Sequence, residues 1–296
     1  MPNMVVSNQK RVFIILGSLL LMNLVAWGVV YEISRPAKME VIFFDVGQGD
    51  AILIKTPERH RILIDGGPGP SILEKLSAEM PFWEREIDLM ILTHPHADHI
   101  NGLVDVLERY EVRTVLWTGV AGEGASFARW REMILNSEII IARAGQRIKG
   151  KTFHLDILYP LSSLEGEEVK ELNTSSIVAR LVSSQKSYLF TGDAYSSNER
   201  ELIEVVANCA DGLIDSVVCR VMVLDSDLLK IGHHGSKTST SDEFLKAVSP
   251  SVAVISVGKD NRYGHPDERV LEALMNYGIR ILRTDTDGDI KVVDDK

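Results

Sequence analysis

The sequence predicts an α+β fold, an αββα sandwich of two mixed sheets with helices outside, behind a single N-terminal transmembrane helix. Three observations predict it. Short apolar runs split by Gly and Pro open the domain as a meander, strand–helix alternation follows, and the alternation recurs in a second, similar half. Of 296 residues, 45% are hydrophobic and 25% charged, which excludes a disordered or fibrous chain. The net charge of −10 speaks against a sequence-blind grip on nucleic acid. Two cysteines, Cys209 and Cys219, cannot build a zinc finger, an iron–sulfur site or a disulfide framework. They are expected as ordinary core thiols, with one bridge between them as the alternative.

From Val12 to Tyr31 the chain reads VFIILGSLLLMNLVAWGVVY, a run without a charge. As a helix it spans about 30 Å, the thickness of a bilayer's hydrocarbon core. A buried core helix would show a polar face over that length. A cleaved signal peptide would end in an A-x-A-like site, and the stretch from Ala26 to Ala37 offers none. Lys10 and Arg11 precede the run, and Trp27 and Tyr31 fall near its far end as interfacial anchors. The expectation is therefore a cytoplasmic N-terminus over residues 1–11, an anchor over 12–31 and a linker over 32–39. Arg35 and Lys38 reduce the charge asymmetry that sets the orientation. Residues 40–296 read as one domain, on the outer side of the cell membrane, with no fixed-period repeat.

Within the domain, Met39–Val46, Ala51–Thr56 and Arg61–Asp65 read as three strands of a meander. Ser71–Met80 has helical spacing and stops before Pro81. Ile87–Thr93 is a continuous apolar run that suits a strand covered on both faces. Helix Ile100–Tyr110, strand Thr114–Trp117 and helix Ala125–Asn136 follow. In the second half, strands Ser176–Val182 and Ser187–Phe190 precede helix Ser196–Ala207. Leu228–Ile231 precedes helix Asp242–Val248, and Val252–Val257 precedes helix Glu268–Tyr277. Strands Ile279–Thr284 and Ile290–Val293 close the chain.

Directly after the buried run Ile87–Thr93 the chain reads T-H-P-H-A-D-H-I-N-G. Pro95 favours an extended loop, so His94 and His96 project to one side, while Asp98 and His99 come at the turn into the next helix. Three imidazoles and a carboxylate so close together supply ligands for borderline metals. The nearby helix N-terminus would favour an anionic group.

With this motif the sequence resembles the metallo-β-lactamase fold superfamily, whose signature is H-x-H-x-D-H after a buried strand. Phe44–Ala51 (FDVGQGDA), Leu63–Gly67 (LIDGG), Leu189–Asp193 (LFTGD), Leu229–Ser239 (LKIGHHGSKTS) and Tyr263–Pro266 (YGHP) extend the resemblance over nearly the whole domain. Together they are most similar to the extracytoplasmic hydrolase domain of ComEC-type competence proteins. The resemblance implies two divalent metal ions held by His94, His96, Asp98, His99 and Asp193, with Asp193 as the bridging carboxylate. Zn²⁺ suits these nitrogen and carboxylate donors, and Mn²⁺ is compatible with the same set. Neighbours along a strand face opposite ways, so one of His233 and His234 is expected to ligate and the other to meet substrate, with His234 preferred as ligand. Asp65 is implied to support the histidine loop through hydrogen bonds. Asp50, in the Q-G-D turn, is either an ordinary turn residue or faces the same cavity.

Many members of the superfamily carry a further histidine where this chain has Asn173–Ser176 (NTSS), a gap that ComEC-type domains share. The first metal is then left with His94, His96 and Asp193, and His265 would add a third nitrogen, an acid or a phosphate contact. Asp98, His265 and Lys237 are the expected catalytic side chains. Ser236 and Thr238, flanking Lys237 in a Gly-led loop, and Asn173 are expected to contact substrate. His60 and His154 read as structural or exposed.

The expected function is a membrane-anchored, binuclear metal-dependent hydrolase. A water bridging the metals would ionise near neutral pH and attack a phosphodiester, with single-stranded DNA as a candidate substrate. Between Leu228 and His265 five basic residues face three acidic ones, which favours an anionic substrate locally. Other hydrolases of a cell-wall phosphoester, lactone or β-lactam would use the same metals, and an anchored binding module without catalysis is the remaining alternative. ComEC-type proteins join this domain to a many-spanning channel, and a separate channel subunit is a candidate partner here.

Overall fold

A computed structural model describes residues 2–34, 37–213 and 217–294. The elements in chain order are α1 (Pro2–Ser34), β1 (Glu40–Phe43), β2 (Ile52–Lys55), β3 (Arg61–Ile64), α2 (Ser71–Glu79), β4 (Glu86–Leu92) and α3 (Ala97–Leu107). Next come β5 (Glu111–Trp117), α4 (Gly124–Met133), β6 (Glu138–Ile141), β7 (Arg147–Lys149), β8 (His154–Tyr159), β9 (Val178–Val182), β10 (Ser187–Phe190) and α5 (Ser196–Ala210). The chain ends with β11 (Leu228–Lys230), α6 (Asp242–Val248), β12 (Val252–Ile255), α7 (Glu268–Asn276), β13 (Arg280–Arg283), α8 (Thr284–Asp287) and β14 (Ile290–Val293).

Two units divide the chain, residues 1–37 and 38–296. In the first, Gln9–Gly28 within α1 is long and apolar enough to cross a bilayer, with mean hydropathy 1.8 and no part buried. The helix runs beyond the expected anchor at both ends.

In the second, two seven-stranded mixed sheets carry the orders β14-β1-β2-β3-β4-β5-β6 and β13-β12-β11-β10-β9-β8-β7. Alternation along each strand builds three apolar layers. Val41, Phe43, Ile62 and Ile64 meet Leu155, Leu181, Tyr188 and Phe190 between the sheets. Ile42, Phe44 and Leu63 face α2 and α3, while Leu189, Leu229 and Ala253 face α6 and α7. This is the αββα sandwich.

Three strands escaped the sequence reading: β6, β7 and β8, of which β6 and β7 are short edge strands, exposed or half-buried along their length. Helix α3 starts at Ala97 rather than Ile100, because His96 is extended at its N-cap position and releases the chain into the helix at once. The two cysteines are not free thiols. Cys209, in the last turn of α5, is bonded to Cys219.

Candidate metal centre

In the first sheet β1, β3, β4, β5 and β6 point the same way, and in the second β10 to β13 do so. The turns after their C-terminal ends meet on one edge and build a cleft of about 340 Å³, lined by Gln48, His96, Asp98, Asn173, Asp193, His233, His234, Tyr263 and His265 among others. Glycines let the backbones close in. A side chain on Gly102 of α3 would strike the carbonyl of Gly66, and one on Gly49 would strike that of Asp98. In return Gly66 N–H donates to His99 O at 2.9 Å and Gly102 N–H to Gly67 O at 3.0 Å. The D-G-G and G-Q-G-D turns thereby clamp the first turn of α3, which carries Asp98 and His99.

Oδ2 of Asp193, in the turn after β10, is the hub. Nε2 of His99 lies 3.4 Å away, that of His234 3.5 Å, and those of His94 and His233 4.0 Å each. The opposite ring nitrogen of every one is already committed. His99 Nδ1 donates to Asp65 Oδ2 at 2.8 Å, and His234 Nδ1 to the Ser256 carbonyl at 2.9 Å. The Thr93 hydroxyl donates to Asp65, so it accepts from His94 Nδ1 at 3.1 Å. By the same logic Thr238, which donates to Ser236, accepts from His233 Nδ1 at 2.9 Å. These bonds account for the Nδ1 of each ring and turn four Nε2 atoms toward one carboxylate oxygen.

Asp98, His99, Asp193 and His234 offer ligand atoms that all lie within 4.8 Å of one another. Nε2 of His99, Nε2 of His234 and Oδ1 of Asp193 are buried without a hydrogen-bond partner. A tetrahedron whose vertices stand ~2.1 Å from its centre has edges of about 3.4 Å. The His99–Asp193, His234–Asp98 and His234–Asp193 separations are 3.4, 3.4 and 3.5 Å, so these residues fit a divalent cation. Beside them His94 Nε2 and His96 Nδ1 stand 3.0 Å apart and open a second half-site.

Charge within the cluster is mutually set. Burial would discharge His99 and His234, but the surrounding Asp193, Asp65 and Asp98 outweigh it and raise His99 well above the ordinary histidine value, while Asp193, Asp98 and Asp50 raise His234. Burial likewise opposes ionisation of Asp193, yet His234 and His99 hold its carboxyl well below the carboxylate range. Burial, with the neighbouring His99 charge, drives His94 well down, and burial lowers His233 and His265.

The structure brings together His94, His96, Asp98, His99, Asp193, His233 and His234, with Asp65 behind them. The paired histidines both sit past the end of β11 in left-handed backbone (φ 47° and 55°), so strand alternation does not govern them; both line the cleft, and of the two it is His234 that falls in the cluster of ligand atoms. Asn173 lines the cleft and donates from Nδ2 to Tyr195 Oη and toward His233 Nε2, at 3.1 and 3.2 Å. His265 lines the mouth, its ring 5.7 Å from that of His233. Ser236, Lys237 and Thr238 do not line the cleft: Ser236 and Thr238 orient His233, and Lys237 is exposed.

Lys230 was missed. Its ammonium is fully buried, bonds Asp50 Oδ2 and the Gly192 carbonyl, and lies 4.0 Å from Asp193 Oδ1. A lysine inside an otherwise apolar strand was the available signal. Asp50 thereby belongs to the site rather than to an ordinary turn, with its other oxygen 3.5 Å from His234.

A sandwich of this topology, with histidine and aspartate ligands on the strand-end loops, defines a metal-dependent hydrolase scaffold. The chain belongs to the Metallo-beta-lactamase superfamily, whose profile matches residues 44–259. It is similar to ComE operon protein 3 of Bacillus subtilis (strain 168), with 32% identity over 272 residues, 85% of this chain and 32% of that protein. Competence protein ComA of Neisseria gonorrhoeae is 31% identical over 255 residues, again 85% of this chain and 32% of the relative. The chain thus spans about a third of these relatives' length. Among solved structures, the metallo-beta-lactamase fold protein YhfI from Bacillus subtilis shares the fold, with a TM-score of 0.56 at 12% identity over 87% of this chain and all of that one.

Proposed function

We propose that the protein is a membrane-anchored, binuclear metal-dependent phosphodiesterase of nuclease type. One observation carries the reading: four imidazoles, each tied at Nδ1, present Nε2 to the single oxygen Oδ2 of Asp193. Asp98, His99, Asp193 and His234 would hold one divalent cation, and Asp193 with His94 and His96 would hold the second. Divalent cations bound there would supply Lewis acidity and activate water near neutral pH.

The chain's own residues do the rest. His233 is shifted toward its neutral form by burial and bonds Thr238 through Nδ1, so Nε2, toward which Asn173 donates, is its basic nitrogen and would take up a proton once substrate displaces that amide. Asn173 and Tyr195 hold that ring in place. His265, its backbone N–H donating to Asn261 Oδ1 at 3.0 Å, is the phosphate contact at the mouth. The polar lining by Gln48 and Asn173 suits an anionic ester better than an acyl chain. The competence proteins among the relatives point to DNA, and single-stranded DNA is the proposed polymer. A separate channel subunit would deliver it. The Cys209–Cys219 bond supports a domain outside the reducing cytoplasm.

The test compares substrates on metal-loaded protein. A single-stranded oligonucleotide and bis-(p-nitrophenyl) phosphate should be hydrolysed, nitrocefin should not, and His96→Ala should abolish turnover. Nitrocefin turnover without phosphodiester turnover would overturn the proposal.

A further inference from the structure

The strands that end at the cleft all begin on the opposite edge, and the two sheets share that base. Next to the last residue of β14, Asp294 accepts from Tyr188 Oη at 2.5 Å near the start of β10. Glu58, between β2 and β3, accepts from Thr152 N–H at 2.7 Å just before β8. Helices α2, α4 and α7 run from the cleft edge back to this base. The last turn of α7 and the segments that leave the three helices carry Phe82 (80% exposed), Trp83 (69%), Leu135 (73%), Met275 (62%) and Tyr277 (41%). Phe82 and Trp83 stack edge to face, their centroids 4.8 Å apart, as one aromatic knob.

Exposed apolar side chains scattered singly are normal; their collection at the same end of three separate helices is not. Tyr263, comparably exposed, is on the cleft edge and has the cleft to account for it. Trp, Tyr and Phe are the side chains that settle at the headgroup level of a bilayer, where an apolar ring meets a wet, polar boundary. The chain enters the domain at Glu40, on this same base, shortly after α1 ends at Ser34.

We propose that the base of the sandwich, through Phe82, Trp83, Leu135, Met275 and Tyr277, rests in the interface of a lipid bilayer, so that the metal cleft opens away from it into water. The inference rests on reading α1 as a bilayer-spanning helix. A substrate would then reach the cleft from the aqueous side.

The test uses the full chain in phosphatidylethanolamine–phosphatidylglycerol nanodiscs, with the native cysteines bonded to each other. Spin labels on Phe82→Cys, Leu135→Cys, Tyr263→Cys and Leu20→Cys report collision with oxygen, which concentrates in lipid, and with a nickel chelate, which stays in water. The labels at 82 and 135 should show at least a threefold lower nickel accessibility than the label at 263. Equal nickel accessibility at 82, 135 and 263, with label 20 in lipid, would overturn this inference alone and leave the base for a protein partner. A water-exposed label at 20 would overturn the anchor reading and this inference with it.

Discussion

Asp65 Oδ2 accepts from His99 Nδ1 at 2.8 Å, and neither side chain is exposed at all. The same carboxylate takes the Thr93 N–H at 2.8 Å and the Thr93 hydroxyl at 2.7 Å, so it holds both ends of the H-x-H-x-D-H loop at once. Asp65 thus decides which nitrogen of His99 faces the candidate metal cluster.

Weakening that hold should therefore cost metal affinity before it costs fold. Asp65→Asn keeps the volume but loses the charge-assisted bond, and a loss of about 10- to 100-fold in affinity is expected. Competition with a chromophoric chelator measures it. Unchanged affinity would mean that Asp65 serves only the packing of the loop.

Lys230 and Asp50 form a buried ion pair, so removing one partner strands the other. Lys230→Met should destabilise the chain by about 3–5 kcal/mol, and adding Asp50→Asn should restore much of the loss. Urea unfolding of the single and double variants checks both values. A single variant as stable as the parent would show that Asp50 finds another partner.

In metal-free protein, His99 and His234 hold protons more tightly than an unfolded histidine does. A raised folded value stabilises fully below the unfolded value near 6.5 and is lost as pH climbs through the folded one. The urea midpoint of metal-free chain should therefore fall as pH rises above 6.5. Metal competes with the same protons, so metal affinity should rise over that interval. A metal-free midpoint that climbs with pH would contradict the charge assignment.

The bond between Cys209 and Cys219 closes a short loop, and its loss should cost about 2–3 kcal/mol on the chain-entropy account. Protein taken from membranes without reductant should show no maleimide-reactive thiol, and two after denaturation with reductant. Two reactive thiols at the outset would place the domain in a reducing compartment.

Much of this was legible because the chemistry sits in contiguous motifs. T-H-P-H-A-D-H, L-I-D-G-G and L-F-T-G-D each lie where a strand gives way to a turn, and apolar runs such as Ile87–Thr93 mark the strands themselves. Other features depended on the third dimension. The edge strand Arg147–Lys149 is three residues long and packs only Ile148 on the core, too little to set a period. His233 and His234 were read by the rule for strands, but their backbone had already turned left-handed. Lys230 entered the sequence only as one of five basic residues between Leu228 and His265, and the fold shows it enclosed between Asp50 and Asp193. The cysteine pair, too close in composition to free thiols, becomes a bond only when the end of α5 is brought beside Cys219.

The central claim is that Asp193 is the ligand shared by two cations. Its most direct test is metal content per chain by plasma mass spectrometry, after reconstitution and desalting, for the parent and for Asp193→Asn. The account predicts two divalent ions per chain in the parent and at most one in the variant. Two ions retained by Asp193→Asn, or none bound by the parent, would contradict it.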